Sequence, residues 1–140
     1  MLDKLRNVQS VSDAQSGKST YVYSSESKHF FVLVFPNKKG SVNKAKSKVS
    51  DFNKASFSTK NLSVKSSFVD QETQVIVTKS FKNKEEAMDY YVAFKVNKKQ
   101  VKDFNKDFDF FIITDTNFSS LYVDKDVQKY VAFFEKNYLD

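Results

Sequence analysis

The chain has 140 residues, 40% of them hydrophobic and 29% charged, which is ordinary globular composition for one domain. It holds no cysteine, so disulfides, zinc–thiolate centres and thiol catalysis are excluded. Lys plus Arg number 23 against 17 Asp plus Glu, a net charge of +6, while fifteen Phe and seven Tyr supply the buried area for a compact core.

Residues 1–20 are rich in Ser, Gln and Asp without apolar periodicity and are expected to form a linker or tail ahead of a single domain at 21–140. The opening Met1-Leu2-Asp3-Lys4-Leu5-Arg6 lacks the apolar stretch of a secretion signal, so any targeting segment is expected upstream. No apolar run approaches the roughly 20 residues of a membrane helix.

His29–Phe35 is apolar on both faces and stops at Pro36-Asn37, which predicts a central strand covered on both sides. Ser41 is placed to cap a helix over 41–55 whose stripe is Val42, Ala45, Val49, Phe52 and, loosely, Phe57. Residues 62–68 then alternate. Leu62, Val64, Ser66 and Phe68 fall on one face and Ser63, Lys65 and Ser67 on the other, as in an edge strand with one wet face. Val69-Asp70-Gln71-Glu72 reads as a turn, and Gln74–Ser80 returns to complete a hairpin.

Asn83 is positioned to cap a helix over 84–96, with Glu85 and Glu86 suiting its N-terminal dipole and Ala87, Tyr90, Tyr91 and Phe94 forming the buried stripe. A short helical stretch carries Val101 and Phe104, and Phe108–Thr114 forms a strand. Asn117 is expected to cap one helical turn holding Phe118 and Leu121. Asp124 is expected to cap a last helix, 124–138, with the stripe Val127, Tyr130, Val131, Phe134 and Tyr138. The order β-α-β-β-α-β followed by helix predicts an α+β, ferredoxin-like antiparallel sheet with an extra C-terminal helix over part of its otherwise open face.

The residues offer little for catalysis. His29 is the sole histidine, and no Gly-x-Ser-x-Gly elbow or glycine-rich phosphate loop accompanies it. Asp124-Lys125-Asp126 lacks the glycine and distal glutamate of a calcium loop, and Asp107 with Asp109 is a commonplace carboxylate spacing. The chain is therefore expected to be no enzyme and to use no cofactor or metal. RNA-recognition domains share this element order, but Gln74–Ser80 carries no stacking aromatic, so no specific nucleic acid is expected. The lysines suit a solvated surface, with a patch for anionic partners as the alternative. Phe133, Leu121 and Tyr122 lie off or before the last stripe and are the candidate residues of a docking surface.

An ordered set of segments carries a resemblance. It comprises Tyr21-Val22-Tyr23, His29-Phe30-Phe31-Val32-Leu33-Val34-Phe35-Pro36-Asn37, Asp51-Phe52-Asn53, Val75-Ile76-Val77 with Ser80-Phe81, and Glu86-Ala87-x-x-Tyr90-Tyr91. It continues through Phe111-Ile112-Ile113, Asn117-Phe118-x-x-Leu121, Asp124-Lys125-Asp126-Val127 and Tyr130-x-x-Phe133-Phe134-x-x-Asn137-Tyr138. Together these resemble the C-terminal domain of the SprE/PorW lipoproteins of Bacteroidota, tied to gliding motility and type IX secretion, where the domain follows tetratricopeptide-type repeats. The resemblance implies a periplasmic or envelope location and other envelope or secretion-machinery proteins as partners.

A weaker likeness is to SPOR domains, which bind peptidoglycan glycan strands. It rests on Phe30-x-Val32-x-Val34 and on Gln74-Val75-x-Val77 leading through Phe81 into Lys84-Glu85-Glu86-Ala87. It implies peptidoglycan as the alternative partner, through a sheet face that the extra helix is expected to cover.

Overall fold

The computed structural model describes residues 21–36, 42–98 and 108–139. The expected linker at 1–20, the cap Ser41 and the helical stretch around Val101 and Phe104 lie outside the described residues. The elements run β1 (His29–Pro36), α1 (Val42–Ser56), β2 (Ser63–Asp70), β3 (Thr73–Phe81), α2 (Lys84–Lys98), β4 (Phe110–Thr114), α3 (Asp115–Asp124) and α4 (Val127–Tyr138), with a 3-10 turn at Ser58–Lys60. The sheet order is β2-β3-β1-β4 and every neighbouring pair is antiparallel, so the fold is α+β and ferredoxin-like.

The apolar run of β1 occupies a central position because both its faces are covered. On one face Phe31 meets Tyr90 and Phe94 of α2 at ring-centroid distances of 4.9 and 4.8 Å. The stripe of α1 closes the same layer, with Phe52 at 5.3 Å from Tyr90 and 5.7 Å from Phe94. Ala45, Val49, Phe52, Ala87, Tyr90, Tyr91 and Phe94 are all buried, as the two helical stripes predict. Each fully buried large side chain contributes about 1.5–3 kcal/mol, and the aromatic pairs add about 0.5–1.5 kcal/mol each.

The opposite face belongs to the C-terminal helices. Phe30 packs edge-on against Phe118 of α3 at 5.8 Å. Phe111, which lies opposite Val32 in register, is covered by Tyr130 at 4.8 Å and Phe134 at 6.2 Å. Phe134 also reaches Tyr91 of α2 at 5.2 Å, so α4 straddles the rim of the sheet as well as its second face. Tyr130 donates its hydroxyl to the Ile112 carbonyl at 2.8 Å, which ties α4 to the main chain of edge strand β4.

The chain departs from the sequence expectations at three places, each for a local reason. Val69, assigned to a turn, is 1% exposed, whereas Phe68, assigned to the covered face, is 55% exposed. The β2–β3 register shifts between Phe68 and Asp70, making Val69 the extra residue of a bulge. Its carbonyl accepts the Lys125 ammonium at 2.9 Å. The single turn expected after Asn117 is instead the ten-residue α3, capped by Thr114, whose hydroxyl accepts the Asn117 N–H at 3.1 Å. Asn117 is thus the third residue of a helix and not its cap.

The last helix is capped by Asp126, which accepts the Lys129 N–H at 3.1 Å, while Asp124 closes α3. As expected, the last helix covers part of the second sheet face, over Phe111, and α3 covers another part, over Phe30. The cap of α2 is as predicted, with Asn83 accepting the Glu86 N–H at 3.0 Å. The Lys82 backbone N–H, ahead of the Lys60 ammonium, holds the Glu86 carboxyl below its usual range.

Candidate functional site

Of the three residues singled out from the sequence, Leu121 is a correction: it is fully buried and offers no surface to a partner. Tyr122 is half-buried, edge-on to Phe118 at 4.9 Å, with its hydroxyl bonded to that of Ser67 on β2. Phe133 is half-buried between Tyr21 at 5.6 Å and Tyr130 at 5.5 Å. The three therefore form no continuous exposed ridge. Much of the apolar surface expected around Phe133 is covered by the residues just ahead of β1.

That segment is fastened tightly. Tyr21 donates its hydroxyl to the Asp124 carboxylate at 3.1 Å, and Lys129 pairs with the same carboxylate at 3.5 Å. Burial first, then the Asp124 charge, push the Tyr21 hydroxyl well above the usual tyrosine range, so it stays a donor. The buried Asn117 side chain accepts the Val22 N–H at 3.0 Å and donates to the Val22 carbonyl at 2.8 Å. It supplies both halves of a strand-like pairing from a side chain. His29, fully buried, joins Ser27 to Tyr138. These groups are held by one another, and their chemistry is that of a structural clasp.

Among the described residues no group of three or more His, Cys, Asp or Glu side chains is arranged to hold a metal ion. Asp109 accepts Gln128 Nε2 at 2.7 Å, and its expected companion Asp107 lies outside the described residues. The second sheet face, which a glycan-binding or RNA-binding module would leave open, has its aromatics Phe30 and Phe111 beneath α3 and α4. No helix among the described residues is long and apolar enough to cross a membrane.

Two surface features were missed from the sequence. The first is on α2, where Val92 and Val96 are 55% and 60% exposed one turn apart. They line a groove of about 530 Å³ with Phe52, Ala93 and Ser56, rimmed by the polar Asp89 and Asn97. Their spacing off the stripe Ala87, Tyr90, Tyr91 and Phe94 was the available signal: two valines recur at i and i+4 on a face that should be polar.

The second is a smaller cavity of about 210 Å³ at the end of α1, lined by Ser50, Asn53, Lys54, Phe57, Ser58, Asn61, Leu62 and Val64. Asn53 is only 6% exposed. Its Oδ1 accepts the Tyr90 hydroxyl at 2.5 Å, and its Nδ2 has no protein partner. Asn61, at φ 52°, takes a left-handed conformation where the chain leaves the 3-10 turn for β2. Compared with family models, curated proteins and solved structures, the chain matches none.

Proposed function

We propose that this domain is a non-catalytic protein-interaction module whose partner docks on the outer face of α2. The observation that carries the reading is the Val92–Val96 pair, a contiguous apolar step beside Ala93 and Phe52 with a polar rim. Apolar surface gathered into a rimmed groove suits a partner's amphipathic helix, whose anchors repeat at the same one-turn spacing. The envelope setting, in gliding motility or type IX secretion, rests on the resemblance to the SprE/PorW C-terminal domain. Within that setting the module would link other machinery subunits to the scaffold that carries it.

A photo-crosslinking residue placed at position 92 in the protein expressed in its own host tests this. A discrete crosslinked protein, lost when Val96 is changed to Asp, is the expected result. Crosslinks that persist unchanged in V96D, or none at all from position 92 while other surface positions capture a partner, overturn it.

A further inference from the structure

The two edges of the sheet differ. At β4 the Ile112 carbonyl already accepts the Tyr130 hydroxyl, whereas β2 has β3 on one side and, among the described residues, no strand on the other. From Ser63 to Phe68 the pairing to β3 runs without a shift, and none of these residues is buried. Alternate N–H and C=O groups along such an edge point away from the sheet and are left to water until another backbone arrives. The bulge at Val69, whose carbonyl takes the Lys125 ammonium, closes the edge beyond Phe68. Within the open stretch Lys65 is the sole charged residue, and Phe68 is 55% exposed.

Donors and acceptors that alternate at strand spacing are matched by another extended peptide, and charge sets what that peptide carries. Ser63 lies opposite Lys79 and Lys65 opposite Val77, so the two lysines are diagonal neighbours on the face where Ser67 meets Tyr122 of α3. The Lys79 ammonium rests 4.9 Å from the centroid of the Phe30 ring, which holds it in place without neutralising it. Neither Ser63–Phe68 nor the facing Gln74–Lys79 contains an Asp or Glu; Asp70 and Glu72 lie beyond the bulge, at the hairpin end. On the other face Lys54 of α1 lines the same cavity as Val64, so cations border the edge on both sides. We infer that β2 receives an extended acidic segment of a partner as an added strand. The carboxylates of that segment lie beside Lys65 and Lys79, and its alternate apolar side chains cover Val64 and Phe68 on the α1 side.

The test is a titration of the isotope-labelled full chain, read by chemical shifts and amide hydrogen exchange, with a synthetic peptide alternating Val and Glu. A peptide alternating Val and Lys controls for charge, and a backbone N-methylated Val–Glu peptide controls for main-chain pairing. Saturable binding of the first peptide alone is expected, slowing exchange of every second amide in Ser63–Phe68, those not bonded to β3. Lys65→Glu turns an attraction into a repulsion and should weaken the Val–Glu peptide about fivefold while strengthening the Val–Lys one. Val96→Asp should leave the binding unchanged, which separates this edge from the docking face of α2. The same amides slowing without peptide as the chain is concentrated would give the edge to a second copy and overturn the inference. Equal binding of the two charged peptides, full binding of the N-methylated one, no saturable binding, or protection on α2 with Ser63–Phe68 unchanged would overturn it too.

Discussion

His29 and Tyr138, 109 positions apart, meet in the interior with His29 Nε2 at 2.8 Å from the Tyr138 hydroxyl. His29 Nδ1 lies 2.7 Å from the Ser27 carbonyl, which can only accept, so Nδ1 carries the ring proton and Nε2 accepts from the tyrosine. The arrangement requires a neutral imidazole, and burial depresses the His29 pKa below its ordinary 6.5. The hydrogen bond to Ser27 and the Asp115 charge oppose that shift, and the nearby Lys84 adds to it.

Stability is therefore expected to fall in mild acid. The unfolded chain takes up a proton at His29 near pH 6.5 while the folded one resists. Stability is fully present above that pH and declines as pH drops toward the lower folded value. The slope is at most about 1.4 kcal/mol per pH unit from this group. Denaturant melts across that range should show the decline, and His29→Gln should flatten it. An unchanged slope in H29Q would move the effect elsewhere.

Two adjacent phenylalanines of α4 should behave differently. Phe134 is 2% exposed among Phe111, Tyr91 and Tyr138, so Phe134→Ala should cost about 3–5 kcal/mol. Phe133 is only half-buried against Tyr21 and Tyr130, and Phe133→Ala should cost about 1–2 kcal/mol. Chemical denaturation of both variants checks the ranking.

Asn117 holds the main chain of Val22 through both ends of its carboxamide. Asn117→Ala should lower stability by about 1–3 kcal/mol. It should also speed hydrogen exchange of the Val22 amide far more than that of Val32 in β1. If both amides accelerate alike, the segment and the sheet open together and the tether is not local.

Tyr130→Phe removes only the hydroxyl that reaches Ile112, leaving the ring on Phe111. A loss of about 1–2 kcal/mol is expected, because a buried carbonyl on the edge strand loses its donor. Thermal or urea melts measure it.

Most of this fold was written in local periodicity. The two-faced run of β1, the stripes of α1 and α2 and the Asn83 cap are short-range patterns, and burial follows them residue by residue. What escaped depends on distant partners. Val69 alternates correctly only once the bulge against β3 is known. Asn117 resembles a cap until the Val22 main chain is placed against it. Asp124 and Asp126 are equivalent as caps by type, and Tyr21 together with Lys129 engages the first of them. Among the proposed binding residues, Leu121 was drawn to the surface by its offset from the α4 stripe, although it belongs to a separate helix with its own buried side.

The central place of β1 also governs how the chain emerges from a ribosome. Its sheet neighbours, β3 and β4, begin only at Thr73 and Phe110, and Tyr138 closes over its first residue last of all. Until β3 has been made Phe30–Phe35 has no sheet neighbour, and its second neighbour and the cover of its second face follow only with β4 and the last two helices. The nascent domain thus presents its stickiest segment early and shelters it late, which makes that hexapeptide the natural foothold for a holdase during synthesis.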